Sequence, residues 1–384
     1  MQRTRTAVLG MTALLAVASS LCAQTSEQTW SDKWKADNKR WIAYHLIGLQ
    51  PDKLDVAKRL VSEGLAPRGF NVLVLEVDYG FQFTSHPELE TGGLTKEQAR
   101  ELATVCRDHG IRLIPLMNCL GHQSWGARPG PLLAKYPQFD ETPAIPHDDP
   151  DIYCREWCPL HPDVNKIVFE LIDELIDAFE ADAFHVGMDE VFLIGDKNCP
   201  RCHDKDVADL FAKVVIDLHD HLVTAKGVEM LMWSDRLLDS KTTGYGRWEA
   251  SNTGSHRAIE RVPKDIIMCD WHYEMPQTYR NMGQEQPFPS VQFFQEQGFR
   301  VLPSPWRNPE SAVAFLRVAK QGATERMLGA LFTGWSVNTE GLLAALESEP
   351  KPFKLSAKPD RDETTRGVAA TIQAGLEELK SLGP

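Results

Sequence analysis

The chain has 384 residues, 42% hydrophobic and 25% charged, with 41 Lys+Arg against 54 Asp+Glu and a formal charge of −13. These are globular proportions, which exclude a low-complexity or disordered chain. The acidic balance argues against nucleic acid and anionic membrane surfaces as partners, and leaves a neutral or cationic ligand such as a sugar open.

Arg3 and Arg5 precede the apolar stretch Ala7–Leu21, and small residues follow as far as Ala23. Residues 1–23 therefore read as a signal peptide, too short for a membrane span, and an exported protein, periplasmic or extracellular, is expected. Loss of its two arginines takes the charge to −15. No later segment is apolar enough to span a bilayer. After residue 30, short apolar runs alternate with amphipathic ones. The expected strands are Trp41–Leu46, Asn71–Val77, Arg112–Met117, Ala183–Gly187, Glu229–Trp233, Ile266–Asp270, Arg300–Pro303 and Ala330–Gly334. Helical spacing covers Lys53–Glu63, Thr95–His109, His161–Phe179 with Pro162 as its N-terminal proline, Lys205–Lys226 and Glu310–Gln321, and a terminal helix is expected near Thr364–Leu382. Continuous apolar runs fit parallel strands buried on both faces. Eight strands alternating with helices predict an α/β fold, a (β/α)8 TIM barrel forming a single catalytic domain over residues 30–348, with a C-terminal tail over 349–384. No glycine-rich phosphate loop follows the first strand, which disfavours a dinucleotide-binding sheet.

Active sites of such barrels lie at the C-terminal ends of the strands. Here those ends carry Tyr44-His45, Glu76 with Asp78 and Tyr79, Asn118 with His122 and Trp125, Asp189-Glu190, Trp233 with Asp235, Asp270-Trp271-His272-Tyr273, Trp306-Arg307 and Trp335. Aromatic rings suit the C–H faces of a pyranose, and acids and amides suit its hydroxyls. The sharpest signal is Phe184–Val191, an apolar run ending in two adjacent acids whose Cα atoms lie about 3.8 Å apart. In a low-dielectric pocket such a pair favours one protonated acid at neutral pH, which is how a general acid is obtained. A bare Asp-Glu pair is more often the exposed opening of a helix.

The segment His185-Val186-Gly187-Met188-Asp189-Glu190 resembles the His-x-Gly-Gly-Asp-Glu signature of glycoside hydrolase family 20, the exo-acting β-N-acetylhexosaminidases. Gly110–Pro115 followed by Gly121-His122 is similar to that family's third-strand segment, with weaker likeness at Trp233 and Trp335, and the resemblance spans roughly residues 40–345. It implies a retaining, substrate-assisted mechanism on terminal β-linked N-acetylhexosamine, in which the 2-acetamido oxygen attacks the anomeric carbon. Glu190 would be the acid/base and Asp189 would orient the acetamido group. Trp233, Trp271 and Trp335 would box the acetamido methyl and the ring, and His122 would support the acids. Tyr273 would replace a tyrosine usually found on the seventh strand, and Asp78, His185 and Trp306 complete the candidate sugar-binding set. No cofactor and no catalytic metal are implied. The sequence departs from the family at Met188, where a second Gly is usual, at Asn118 for Asp, and at Tyr44-His45 where an Arg is usual. Ser336-Val337 follows Trp335 without the common Glu, and Glu340 lies further on.

Three other readings compete. Glu190 could pair with a distant Asp78, Asp235, Asp270 or Glu274 on a different or decorated sugar. The barrel could bind glycans without cleaving them, or it could be a zinc hydrolase. Of eight cysteines, Cys22 falls in the leader and seven remain, an odd number. Cys106 and Cys119 sit in apolar segments. Cys154-x3-Cys158 and Cys199-x2-Cys202 sit in polar loops and read as disulfides or unpaired thiols. A four-sulfur zinc site is the alternative, with His161 or His203 as substitutes. Cysteine pairing, gluco versus galacto preference and oligomeric state are not legible.

Overall fold

The apolar runs form strands whose alternate residues serve two separate cores. The structure is a computed structural model describing residues 29–89, 91–276, 287–349 and 352–380; the expected leader at 1–23 lies outside them. The strands are β1 Trp41–Ile47, β2 Val72–Glu76, β3 Arg112–Cys119, β4 Ala183–Gly187, β5 Glu229–Trp233, β6 Ile267–Trp271, β7 Arg300–Ser304 and β8 Gly329–Thr333. All pair in parallel in the order β7-β6-β5-β4-β3-β2-β1-β8. The ring closes between β7 and β8, where Leu328 N–H donates to Val301 O at 2.9 Å and Thr333 N–H to Pro305 O at 2.9 Å.

One residue parity faces the lumen, where Trp41, Ala43, Val72, Val74, Ile114, Leu116, Ala183, Leu231 and Trp233 pack together. The other parity, including Tyr44, Leu73, Leu75, Met117, Phe184, Val186 and Phe332, packs beneath the helices. Side chains alternate across a strand, so continuous burial on both faces is what makes these runs wholly apolar.

The helices in chain order are α1 Trp30–Asp37, α2 Leu54–Arg59, α3 Lys96–Asp108, α4 Pro131–Lys135, α5 Val164–Phe179, α6 Val207–His219, α7 Ser240–Thr243, α8 Ser290–Glu296, α9 Pro309–Gln321, α10 Thr339–Glu347 and α11 Arg361–Leu379. α3 opens on a reciprocal cap between Thr95 and Gln98. α5 starts at Val164, later than the expected His161, because Asp163 is its cap residue and Pro162 lies ahead of it. Two expected helices end early as α-helix and continue as wider turns with π geometry, Leu60–Leu65 after α2 and Asp220–Thr224 after α6. The terminal helix α11 docks on α9, where Glu378 takes ion pairs from Arg317 and Lys320. No helix of the described residues is long and apolar enough to cross a membrane.

α1 was not expected from its composition, yet Thr29 and Asp32 form a capping box. It plugs the N-terminal mouth of the barrel. Arg112 lies over the rings of Trp34 and Trp41 and bonds Asp182 Oδ1 and Glu229 Oε2, each at 2.7 Å. Burial would raise the Asp182 carboxyl, but the Arg112 guanidinium outweighs it and holds the group down at about 2. Its stabilisation is therefore present above the ordinary carboxylate range and is lost as pH falls toward that value. Arg112→Met is expected to destabilise the barrel by about 1–3 kcal/mol, below the full cost of orphaning a buried charge because Lys35 and Arg300 also face these acids. Acid unfolding followed by circular dichroism should begin at a higher pH in the variant, and an unchanged acid limb would contradict this account.

Candidate active site

The inward parity dictates the floor of the pocket. Its uppermost members are His45, Glu76, Asn118, His185 and Trp233, all buried. His45 Nε2 meets Glu76 Oε2 at 2.9 Å. Burial pushes the imidazole down to about 3 and, helped by the charge of Asp189, pushes the Glu76 carboxyl up to about 8. Burial thus disfavours charge on both partners of the pair. Asn118 Nδ2 donates to Glu76 Oε1 at 2.9 Å, and the Asn118 backbone N–H donates to Asp78 Oδ1 at 2.8 Å. Asp78 is itself raised to about 8, by burial and then by Glu76. Burial also holds His185 well below its ordinary value, and its Nδ1 accepts the Gly187 N–H at 3.0 Å.

Asp189 and Glu190 follow β4 at the rim. His122 lies between them, its Nε2 3.1 Å from Glu190 Oε2 and 3.3 Å from Asp189 Oδ2. Burial alone would lower His122, but the Asp189 charge and bonds to both acids outweigh it and hold the ring well above its ordinary value. The two acids thus share an imidazolium. Glu190 is clamped through its backbone, the N–H to Asp235 Oδ2 at 3.0 Å and the carbonyl to the Cys154 thiol at 3.6 Å. Asp235, raised to about 6 chiefly by burial, also accepts from Arg236 Nε at 2.6 Å and Trp271 Nε1 at 3.3 Å.

The backbone here is strained. Among the described residues, the non-glycine positions with positive φ are Asp78, Leu120, His122, Met188, Glu190, Ser336 and Glu180, and only Glu180 is remote from the site. Met188 holds φ 75°, a conformation that favours glycine, and its side chain is fully buried. Gly187 at φ 65° packs so closely that a Cβ would come 2.2 Å from Asn118 Oδ1. Gly187→Ala is expected to destabilise by about 2–4 kcal/mol through overpacking and backbone strain, and to lower activity by dislodging Asn118. Denaturant unfolding beside a turnover assay checks both, and wild-type stability would refute the close packing.

Above the acids opens a pocket of ≈ 640 Å³, walled by Trp271, Tyr273, Trp306 and Trp335 on one side and His122, Trp125 and Tyr153 on the other. Trp271 stacks on Tyr273 at 5.0 Å. The Trp335 Nε1–H donates to the Tyr273 hydroxyl at 2.5 Å, and the Trp306 Nε1–H donates to Trp335 O at 3.1 Å. Of the expected sugar-contacting residues, His122, Trp271, Tyr273, Trp306 and Trp335 line this space with the acids. Trp233, His185 and Asp78 do not. Trp233 is 1% exposed in the lumen, 4.6 Å from His185 and 6.0 Å from Trp335, so in this structure it stands in the floor beneath the Trp335 wall. Asp270 is likewise beneath the pocket, bonded to Ser234 and Ser290.

Tyr153 and Trp248 were not foreseen. Tyr153, 38% exposed, lies 4.9 Å from Trp248 and 5.8 Å from His122, and partial desolvation together with the charge of Glu190 raises its phenol. Both come from irregular segments without periodicity, and their only signal was an aromatic residue in a polar loop. Arg307 also lines the pocket, its guanidinium 3.8 Å above Trp306. The seven described cysteines are all unbridged and buried, and Cys154 stands apart on Glu190.

A barrel with two adjacent acids and an aromatic wall at the C-terminal strand ends is the architecture of a glycoside hydrolase. Residues 74–338 match the model of glycosyl hydrolase family 20, catalytic domain, and the chain belongs to that family. A β-hexosaminidase of Akkermansia muciniphila is 31% identical over 121 residues, covering 29% of this chain and 22% of that protein. A lacto-N-biosidase of Bifidobacterium bifidum is 24% identical over 165 residues, covering 40% and 14%. The chitobiase of Flavobacterium johnsoniae shares the fold with a TM-score of 0.60 at 20% identity, over 89% of this chain and 50% of that one. The matched stretches thus span less than a quarter of either sequence relative.

Proposed function

We propose that this chain is an exported exo-β-N-acetylhexosaminidase working by substrate assistance. The observation that carries the reading is the pair Asp189 and Glu190 on one side of an aromatic pocket with His122 between them. Adjacent acids cannot stand across a sugar ring from each other, so an enzyme nucleophile is not their arrangement. In the first step the acetamido oxygen bonds to the anomeric carbon, the glycosidic C–O bond breaks, and Glu190 gives its proton to the leaving oxygen. In the second, water attacks the anomeric carbon, Glu190 takes its proton, and the oxazolinium C–O bond opens. Asp189 Oδ1 is buried without a hydrogen-bond partner, which suits it to accept the acetamido N–H. Export rests on Arg3, Arg5 and the apolar stretch Ala7–Leu21.

Glu274, held by Asn308 Nδ2 at 2.6 Å, lines the wall with Glu249 and is the acid that a two-carboxylate mechanism would use. Hydrolysis of aryl β-N-acetylglucosaminide and β-N-acetylgalactosaminide, with and without an oxazoline-mimicking thiazoline, separates the readings. Turnover blocked competitively by the thiazoline is expected. Turnover indifferent to it would move the chemistry to Glu190 with Glu274. Binding without turnover would make the barrel a glycan-binding module.

A further inference from the structure

Three cysteines and one glutamate converge beside the active site without a role in the chemistry above. The Sγ atoms of Cys158 and Cys202 lie 3.4 Å apart, and those of Cys158 and Cys199 lie 3.6 Å apart. Together with a Glu141 carboxylate oxygen, their ligand atoms all fall within 4.8 Å of one another, and all four residues are buried. A disulfide would bring two sulfurs to about 2.05 Å. Sulfurs held about 2.3 Å from one tetrahedral zinc ion are separated by roughly 3.8 Å, close to the spacing seen.

The carboxylate supplies an independent observation. Glu141 is fully buried, its Oε1 accepts the Gly195 N–H at 2.8 Å, its Oε2 meets no nitrogen or oxygen donor, and only the cluster thiols face the carboxylate. A buried carboxylate with only thiols for partners is poorly compensated, and a cation beside it removes that penalty. Neither His161 nor His203, the alternative ligands, belongs to this cluster. His203 Nδ1 meets Cys199 O at 3.0 Å, and His161 Nδ1 accepts the Asp163 N–H at 3.2 Å.

We propose that Glu141, Cys158, Cys199 and Cys202 form a tetrahedral structural zinc site. Three thiolates select a soft divalent ion over magnesium or calcium. On binding, the ligands release their protons to solvent, and neither metal nor sulfur changes oxidation state. All four positions are filled by protein, so the site is closed and cannot activate water, which separates it from a zinc hydrolase. Its place in the fold gives it a purpose. Glu141 and Cys158 belong to the long β3–α5 segment that carries His122, Trp125 and Tyr153, whereas Cys199 and Cys202 belong to the β4–α6 segment that begins with Asp189 and Glu190. The ion would tie the two loops of the catalytic wall together. Nearby, Glu156 Oε1 makes a parallel tie by accepting the Phe192 and Leu193 N–H groups at 2.5 and 2.6 Å.

Elemental analysis of the full chain purified from zinc-supplemented medium should find one zinc per chain. A mercurial that blocks thiols should release it to a chromophoric chelator. Refolding with Co²⁺ should give sulfur-to-cobalt charge-transfer bands and tetrahedral visible bands. Cys199→Ser should lose the metal and melt at a lower temperature. If that variant does not fold, the cobalt spectrum of the wild type decides alone. A folded wild type without stoichiometric metal and without these bands, or a Cys158–Cys202 disulfide found by peptide mapping, would overturn the proposal. None of these readouts depends on which glycoside, if any, is cleaved.

Discussion

Glu190→Gln is expected to lower kcat on aryl β-N-acetylhexosaminides by on the order of 10²- to 10⁴-fold, the range of a lost general acid/base. Gln keeps the size of the side chain and its contact with His122, so the fold should survive. The loss should depend on the leaving group. A poorly activated phenol needs the proton that Glu190 carries and should suffer most, whereas a strongly activated one leaves without it. A plot of log kcat/KM against leaving-group pKa should therefore steepen in the variant. An equal loss across the series would mean that Glu190 binds the sugar and does not protonate it.

The second large effect is expected at Asp189. Asp189→Asn removes the charge that the proposed mechanism sets against the developing oxazolinium, and kcat should fall by about 10²- to 10³-fold, the scale of one preorganised electrostatic contact. Added azide should not restore turnover, because no covalent enzyme intermediate awaits a nucleophile. The substitution also reads out on His122. The Asp189 charge is the largest influence raising that imidazole, so its removal should lower the titration of His122. Since the imidazolium is present below its raised value and is lost as pH rises through it, the alkaline limb of activity should shift to lower pH. NMR titration of the His122 ring in wild type and variant measures this directly. An unmoved ring would show that its charge is not held by Asp189.

The barrel was legible because its signal is local and repeated. Each strand needs only five to eight residues of continuous burial, and each helix its own spacing. The acid pair was legible for the same reason, being two neighbours at the end of one such run. What depended on parity was not legible at Trp233. A tryptophan at a strand end can face the rim or the lumen, and Trp233 shares the inward parity of Leu231. Tyr153, Trp248 and the company of Glu141 with three cysteines depend on loops folding against each other over separations of tens of residues, and no periodicity records that. The wider groove of ≈ 970 Å³ beside α11, lined by Arg68, Phe353 and Lys380, shows that size alone does not mark the chemistry.

The left-handed residues around the acids bear on transplanting this chemistry. A designer copying Asp189 and Glu190 onto another eight-stranded barrel would place them on a backbone that prefers to relax. Each non-glycine residue held in that region disfavours its conformation by about 1–2 kcal/mol, and six cluster here, a sum comparable to the whole net stability of many domains. The graft would need its braces as well as its acids: Asp235 and Cys154 gripping the Glu190 backbone, Asn118 filling the space beside Gly187, and Met188 anchored in the core. The portable unit is therefore the rim with its supporting layer, and the two carboxylates are its smallest part.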